Sequence, residues 1–124
     1  MRILLIDDSS TMRKIQRRVL SEMNPEFDVV EAGNGKEALE KLKEFNFQFG
    51  LVLCDINMPE MNGMETLKAI RAMPETLKLP IIMCTSVAEK GQVMEAIKAG
   101  ATNYLVKPFQ PEDLKNKINT VLSK

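Results

Sequence analysis

The chain has 124 residues, 44% of them hydrophobic, with 17 Lys plus Arg balanced by 17 Asp plus Glu. That length suits one domain, residues 1–124, burying about two-thirds of its unfolded surface. Zero net charge argues against a nucleic-acid binder built on phosphate neutralisation and against a basic membrane-surface module. The absence of His removes Ser-His-Asp triads and His-ligated metal sites, and no Trp with one Tyr and five Phe leaves no base-stacking platform. The opening MRILLIDDSS is too short and too acidic for a signal peptide, and no apolar run approaches the ~20 residues that span a bilayer, so a cytoplasmic protein is expected. Cys54 and Cys84 lie in apolar runs and read as buried, reduced thiols.

In chain order, residues 3–6 (ILLI) form an unbroken apolar run that stops at Asp7, the pattern of a strand buried on both faces. Met12, Ile15, Val19 and Met23 then fall on one helical face. Val29 and Val30 mark a weaker strand, expected at a sheet edge. Asn34 with Glu37 has cap-then-acid spacing and opens a helix with Ala38, Leu42 and Phe45 inward. The run at 51–54 stops at Asp55. Asn62 with Glu65 opens a helix carrying Met64, Leu67 and Ile70. The run at 81–84 stops at Thr85; Ser86 with Glu89 is the expected cap of a fourth helix with Val93 and Ile97 inward and Gly100 as its C′ residue. The run at 104–106 stops at Lys107, and Pro111 opens a last helix through Leu114, Ile118, Val121 and Leu122.

This is βα five times, (βα)5, and it predicts an α/β fold: a doubly wound, five-stranded parallel sheet with right-handed crossovers and five helices on both faces. In the flavodoxin-like strand order 2-1-3-4-5, strands 1, 3, 4 and 5 are neighbours, and Asp7, Asp8, Asp55, Thr85 and Lys107 gather on the rim where such sheets bind ligands. Three of the chain's five aspartates are in that set. Crowded carboxylates need a cation, and a hard divalent ion with oxygen ligands, Mg²⁺, suits them. A metal, an ammonium and a hydroxyl around one carboxylate make a site able to accept a phosphoryl group, with the carboxylate as nucleophile. Asp8 taken alone, ahead of Ser9-Ser10-Thr11, reads equally well as a helix cap.

IDDSS after the first strand, CDINMPEMNG after the third, CTS after the fourth and VKPF after the fifth resemble the receiver domains of two-component response regulators, over essentially the whole chain. The resemblance implies that Asp55 is the phosphoacceptor and that Asp7 and Asp8 organise Mg²⁺ together with Asp55 and the main-chain carbonyl of Asn57. It implies that Thr85 and Lys107 engage the phosphoryl group and that a cis peptide joins Lys107 to Pro108. Ser86 is small, as phosphoryl access requires, and Tyr104 matches an aromatic that exchanges exposed and buried rotamers on activation. Apolar Val87 offers no hydrogen bond to an attacking water, which implies slow hydrolysis of the phosphorylated form, partly offset by polar Asn57. Asn62 stands where many relatives carry aspartate, with little change expected because it reads as a helix cap.

DSSTMRK, INMPEMNG and AIKAGATNYLVKPFQPEDL are most similar to the chemotaxis response regulators of the CheY type. The chain ends at Lys124 just after the fifth helix, so a stand-alone receiver is expected. The resemblance implies a histidine kinase as donor, a helix 4–strand 5–helix 5 output face, a flagellar motor switch protein as target, a phosphatase as further partner and a monomeric state. A phosphorelay intermediate, or a receiver with a non-flagellar target, is the alternative within the class. Outside it stand an FMN-binding flavodoxin-like module, whose flavin phosphate Asp7 and Asp8 would repel, and a phosphatase with an aspartyl nucleophile, which expects two aspartates one residue apart rather than adjacent.

Overall fold

Apolar runs with no polar face must be covered on both sides, and here helices do so. The computed structural model describes residues 1–56, 58, 60–86 and 91–123. In order these form β1 (Arg2–Ile6), α1 (Ser10–Met23), β2 (Asp28–Ala32), α2 (Gly35–Glu44), β3 (Leu51–Asp55) and α3 (Gly63–Arg71). A 3₁₀ turn at Pro74–Thr76 precedes β4 (Ile81–Ser86), α4 (Val93–Lys98), β5 (Asn103–Lys107) and α5 (Pro111–Leu122). The strands are parallel in the order β2-β1-β3-β4-β5, the flavodoxin-like arrangement, with β2 at an edge.

The alternation of side chains along each strand divides the core in two. On one face, Leu4, Ile6, Val52, Cys54, Ile81 and Met83 meet Ala38 and Leu42 of α2, Met64, Leu67 and Ile70 of α3, and Ala96 of α4. On the other, Ile3, Leu5, Leu51, Leu53, Ile82 and Leu105 meet Val19 and Leu20 of α1 and Leu114, Ile118 and Val121 of α5. Among the described residues no helix is long and apolar enough to cross a membrane.

Local signals place most helix ends. Asn34 Oδ1 accepts the Glu37 N–H at 2.8 Å, and Asn62 and Glu65 form a reciprocal capping box. Gly100 follows the end of α4 with φ +113°, a left-handed C′ position, and Pro111 opens α5. Ser86 is the last residue of β4 and α4 runs from Val93 to Lys98; Glu89, the other half of the expected cap, lies outside the described residues. The structure corrects one expectation: the inward stripes of α1 and α4 are rotated. Ile15 is 45% exposed while Gln16 is buried beside Val19 and Leu20, and Ile97 is 41% exposed while Ala96 is buried. The cause is packing: α1 faces both β1 and α5, and their joint direction, not the apolar repeat alone, sets which side turns in. In α5, Leu122 at the frayed end is exposed where Leu114, Ile118 and Val121 are not.

Gln16 is 2% exposed and its Oε1 has no hydrogen-bond partner among the described residues. An unpaired buried amide oxygen costs about 1–3 kcal/mol. Gln16→Leu keeps the volume and removes that cost, so urea unfolding is expected to show a gain of about 1 kcal/mol. An unchanged or lower midpoint would mean that the amide finds a partner in solution.

Candidate functional site

All five strands run the same way, so their carboxyl ends share one rim. Registers Ile6↔Cys54, Asp55↔Cys84 and Ser86↔Lys107 align those ends. Asp7, one residue past β1, is 1% exposed and Asp55, the last residue of β3, is 7% exposed. Asp8 is exposed. One carboxylate oxygen from each of the three lies within 4.8 Å of the others, close enough for a single metal ion.

Each group is held by a separate device. Asp7 Oδ1 accepts the Ser9 N–H at 2.9 Å, and Oδ2 accepts from Lys107 Nζ at 3.2 Å. Its own N–H donates to Ala32 O on β2 at 3.1 Å. Lys107 Nζ also lies 3.1 Å from Asp55 Oδ1, so one ammonium bridges the two buried carboxylates. Ser9, not Asp8, caps α1 by accepting the Met12 N–H at 3.2 Å. The capping alternative for Asp8 is therefore not observed. No hydrogen bond or ion pair engages its carboxylate among the described residues.

The start of α3 packs closely on two sides. A Cβ on Gly63 would stand 2.2 Å from Asp55 O, and one on Gly35 would stand 1.9 Å from Thr66 Oγ1. The Gly35 N–H also donates to Met61 O at 3.3 Å. Glycine permits both approaches, which bring the start of α3 against the Asp55 carbonyl and the start of α2 against Met61 and Thr66.

Thr85 is fully buried, and its hydroxyl donates to Ser86 O at 3.2 Å, within its own strand. Ser86 beside it is half-buried. Tyr104 on β5 is half-buried, with Lys117 Nζ 5.0 Å from its ring centroid. The Lys107–Pro108 peptide is cis. Asn57 and Val87 lie outside the described residues, so the expectations placed on them have no geometry here.

Burial pushes the Asp55 carboxyl up to about 6; Asp7 and Asp8 push the same way and Lys107 opposes them. Burial works against the Lys107 ammonium, but Asp55 and Asp7 outweigh it and raise its pKa, so it stays charged. Burial also raises both thiols, Cys84 to about 12 and Cys54 well above its usual range. Both are free and buried and remain protonated, which removes them as nucleophiles. The rim is an electrostatic trap: one bridging ammonium, three carboxylates and a hydroxyl with a replaceable partner.

Sequence reasoning missed Arg13, whose guanidinium donates to the main-chain oxygen of Asp7 and to Glu31 Oε1 at 2.8 Å. A faint signal existed. An Arg so near a helix N-terminus opposes the dipole, and the first turn of α1 carries no acid to offset it.

The profile of the response regulator receiver domain family matches residues 3–119. Chemotaxis protein CheY1 of Helicobacter pylori is 48% identical over 122 residues, covering 98% of this chain and 97% of that protein. The chemotaxis protein CheY homolog of Campylobacter jejuni is 45% identical over 122 residues, covering 98% and 92%. Among solved structures, chemotaxis response regulator CheY4 of Vibrio cholerae superposes with a TM-score of 0.87 at 34% identity, covering 97% of each chain. A CheY-like receiver domain protein from Methanospirillum hungatei superposes with a TM-score of 0.86 at 31% identity, covering 98% and 93%.

A carboxyl that binds its proton more tightly folded than unfolded favours the folded state most below the unfolded value, near pH 4, and loses that contribution as pH rises through about 6. Ionised Asp55 thus strains the metal-free protein at neutral pH. In chelator, Asp55→Asn is expected to raise the melting temperature by several degrees at pH 7.5 and by clearly less at pH 4.5. Equal shifts at both values would show that its titration is not the source.

Proposed function

The chain belongs to the response regulator receiver domain family, and on that premise we propose that residues 1–124 form one receiver domain that works as a phosphorylation-activated switch. The observation that carries this reading is the convergence of Asp7, Asp8, Asp55 and Lys107 on one rim. The phosphoacceptor is Asp55. Its carboxylate oxygen attacks the phosphorus of a phosphohistidine; the new P–O bond forms as the P–N bond breaks, and the imidazole nitrogen keeps the electron pair. This chain has no His, so the donor is another protein, a histidine kinase. Water later cleaves the acyl phosphate, returning the carboxylate and inorganic phosphate. The protein acts on itself and signals; it turns over no separate substrate.

Asp7, Asp8 and Asp55 fit a Mg²⁺ ion, because their oxygens are hard donors already within one ion's reach. The main-chain carbonyl of Asn57 is the further protein ligand. Bound there, the ion offsets negative charge on the transferring phosphoryl group. No hydrogen bond among the described residues holds the Asp8 carboxylate, so it would be available to the ion. Lys107, already 3.1 Å from Asp55, turns its remaining N–H donors to the phosphoryl oxygens.

Thr85 carries the switch. Its hydroxyl exchanges Ser86 O for a phosphoryl oxygen, which draws the end of β4 inward. Ser86 is small enough to leave the phosphoryl group access. Tyr104 then moves into the space behind Thr85 and reshapes the α4–β5–α5 face. That face carries Met94 at 66% exposure and Ile97 at 41%, apolar area for a partner to bury. Because the relatives at 45–48% identity are chemotaxis proteins, the target is a flagellar motor switch protein in the cytoplasm, reached as a monomer, and a separate phosphatase ends the signal.

With acetyl phosphate and Mg²⁺, intact-mass analysis is expected to find one phosphoryl group on the wild type and none on Asp55→Asn. Modification of the variant would place the phosphoacceptor elsewhere. The phosphorylated wild type is expected to bind a motor switch peptide more tightly than the unmodified protein; equal binding would refute the motor target. Val87 offers no hydrogen bond to the attacking water, so Val87→Glu is expected to shorten the lifetime of the phosphorylated form severalfold. An unchanged lifetime in a phosphate-release assay would clear Val87 of that role.

A further inference from the structure

We propose that Arg13, braced by Glu31, is a positioning residue for the cation site: its grip on the Asp7 main-chain oxygen orients the Asp7–Asp8 peptide and thereby sets Mg²⁺ affinity. The inference rests on Asp7, Asp8 and Asp55 being the Mg²⁺ ligands.

Four observations converge on it. One residue past β1, the Asp7 N–H still reaches β2, at Ala32 O, and the register of β1 with β2 ends at Ile6 and Ala32, so the Asp7 carbonyl is where the ladder stops. The Arg13 guanidinium takes that carbonyl. The guanidinium is a rigid planar fork, and its Nε donates to Glu31 Oε1 at 2.8 Å; with that side fixed, the direction of the Nη1 donor is fixed too. Glu31 is in turn paired with Arg17 at 2.9 Å, and Arg17 donates to Val29 O at 3.1 Å. A continuous brace therefore runs from the main chain of β2 to the end of β1.

What the brace controls follows from peptide planarity. The Asp7 oxygen and the Asp8 nitrogen and Cα lie in one plane, so holding the oxygen fixes the direction in which Asp8 leaves the strand. Asp7 has Ser9 and Lys107 to hold its side chain. Asp8 has nothing of the kind among the described residues, and the main chain decides where its carboxylate points.

Arg13 is also in the wrong place on Coulombic grounds. It sets a positive charge near the positive end of a helix dipole and next to a pocket that must attract a cation. Its side chain is only 18% exposed, against 47% for Arg17. Charge alone predicts that removing it would tighten Mg²⁺ binding, whereas positioning predicts the reverse.

The test is calorimetric titration of MgCl₂ into the unphosphorylated full chain, with thermal melts alongside. Arg13→Met is expected to weaken Mg²⁺ binding about tenfold, the usual scale for losing an outer partner of a metal ligand, despite the lost positive charge. Arg13→Lys keeps the charge but not the fork, and is expected to weaken it as well. Equal or tighter binding by Arg13→Met, whatever its melting temperature, would overturn the proposal. Should Arg13→Met fail to fold, Glu31→Asp decides: it keeps every charge and withdraws the brace by one methylene, so weaker binding supports the proposal and unchanged binding overturns it. Absence of Mg²⁺ uptake by the wild type itself would instead strike down the metal reading on which this one stands.

Discussion

Lys107 sets the terms for the rest of this protein. One ammonium bridges two buried carboxylates at 3.2 and 3.1 Å while a third lies within an ion's reach of both. Burial, Asp7 and Asp8 all push the Asp55 carboxyl up, and Lys107 alone among its named neighbours pulls it down. A site with one positive charge for three negative ones is under-neutralised. That imbalance favours a divalent cation there, as the proposed Mg²⁺ site requires.

The scaffold supports this through direction and closeness. Parallel strands bring residues from four distant stretches of chain to a single edge, and apolar cores on both faces keep the strands in register. Closeness is supplied where side chains are missing: Gly63 lies against the Asp55 carbonyl and Gly35 against Thr66. Rigidity at β3 contrasts with α4, a six-residue helix whose buried residue is Ala96. A helix with so little apolar area holding it to the sheet is cheap to shift, and Thr85, at the end of the strand leading to it, makes a local hydrogen bond to Ser86 O. In the proposed switch, the rigid half takes the phosphoryl group and the loosely packed half reports it.

Much of the fold was legible because its signals are local. An apolar run with no alternation is a strand buried on both sides whatever surrounds it, and the caps at Asn34 and Asn62 act over three residues of chain. The α1 stripe was read one position off, with Ile15 expected inside where Gln16 lies, because helix rotation is set by what the helix packs against.

The sequence by itself determined the alternation of strand and helix and the identity of the polar residue at the end of each buried run, because burial and capping act between near neighbours. Tertiary structure alone decided that a single ammonium would bridge Asp7 and Asp55 and that Arg13 would close over the end of β1. Those contacts join residues as far as 100 positions apart, and no pattern along the chain records which distant groups the sheet will bring within bonding distance.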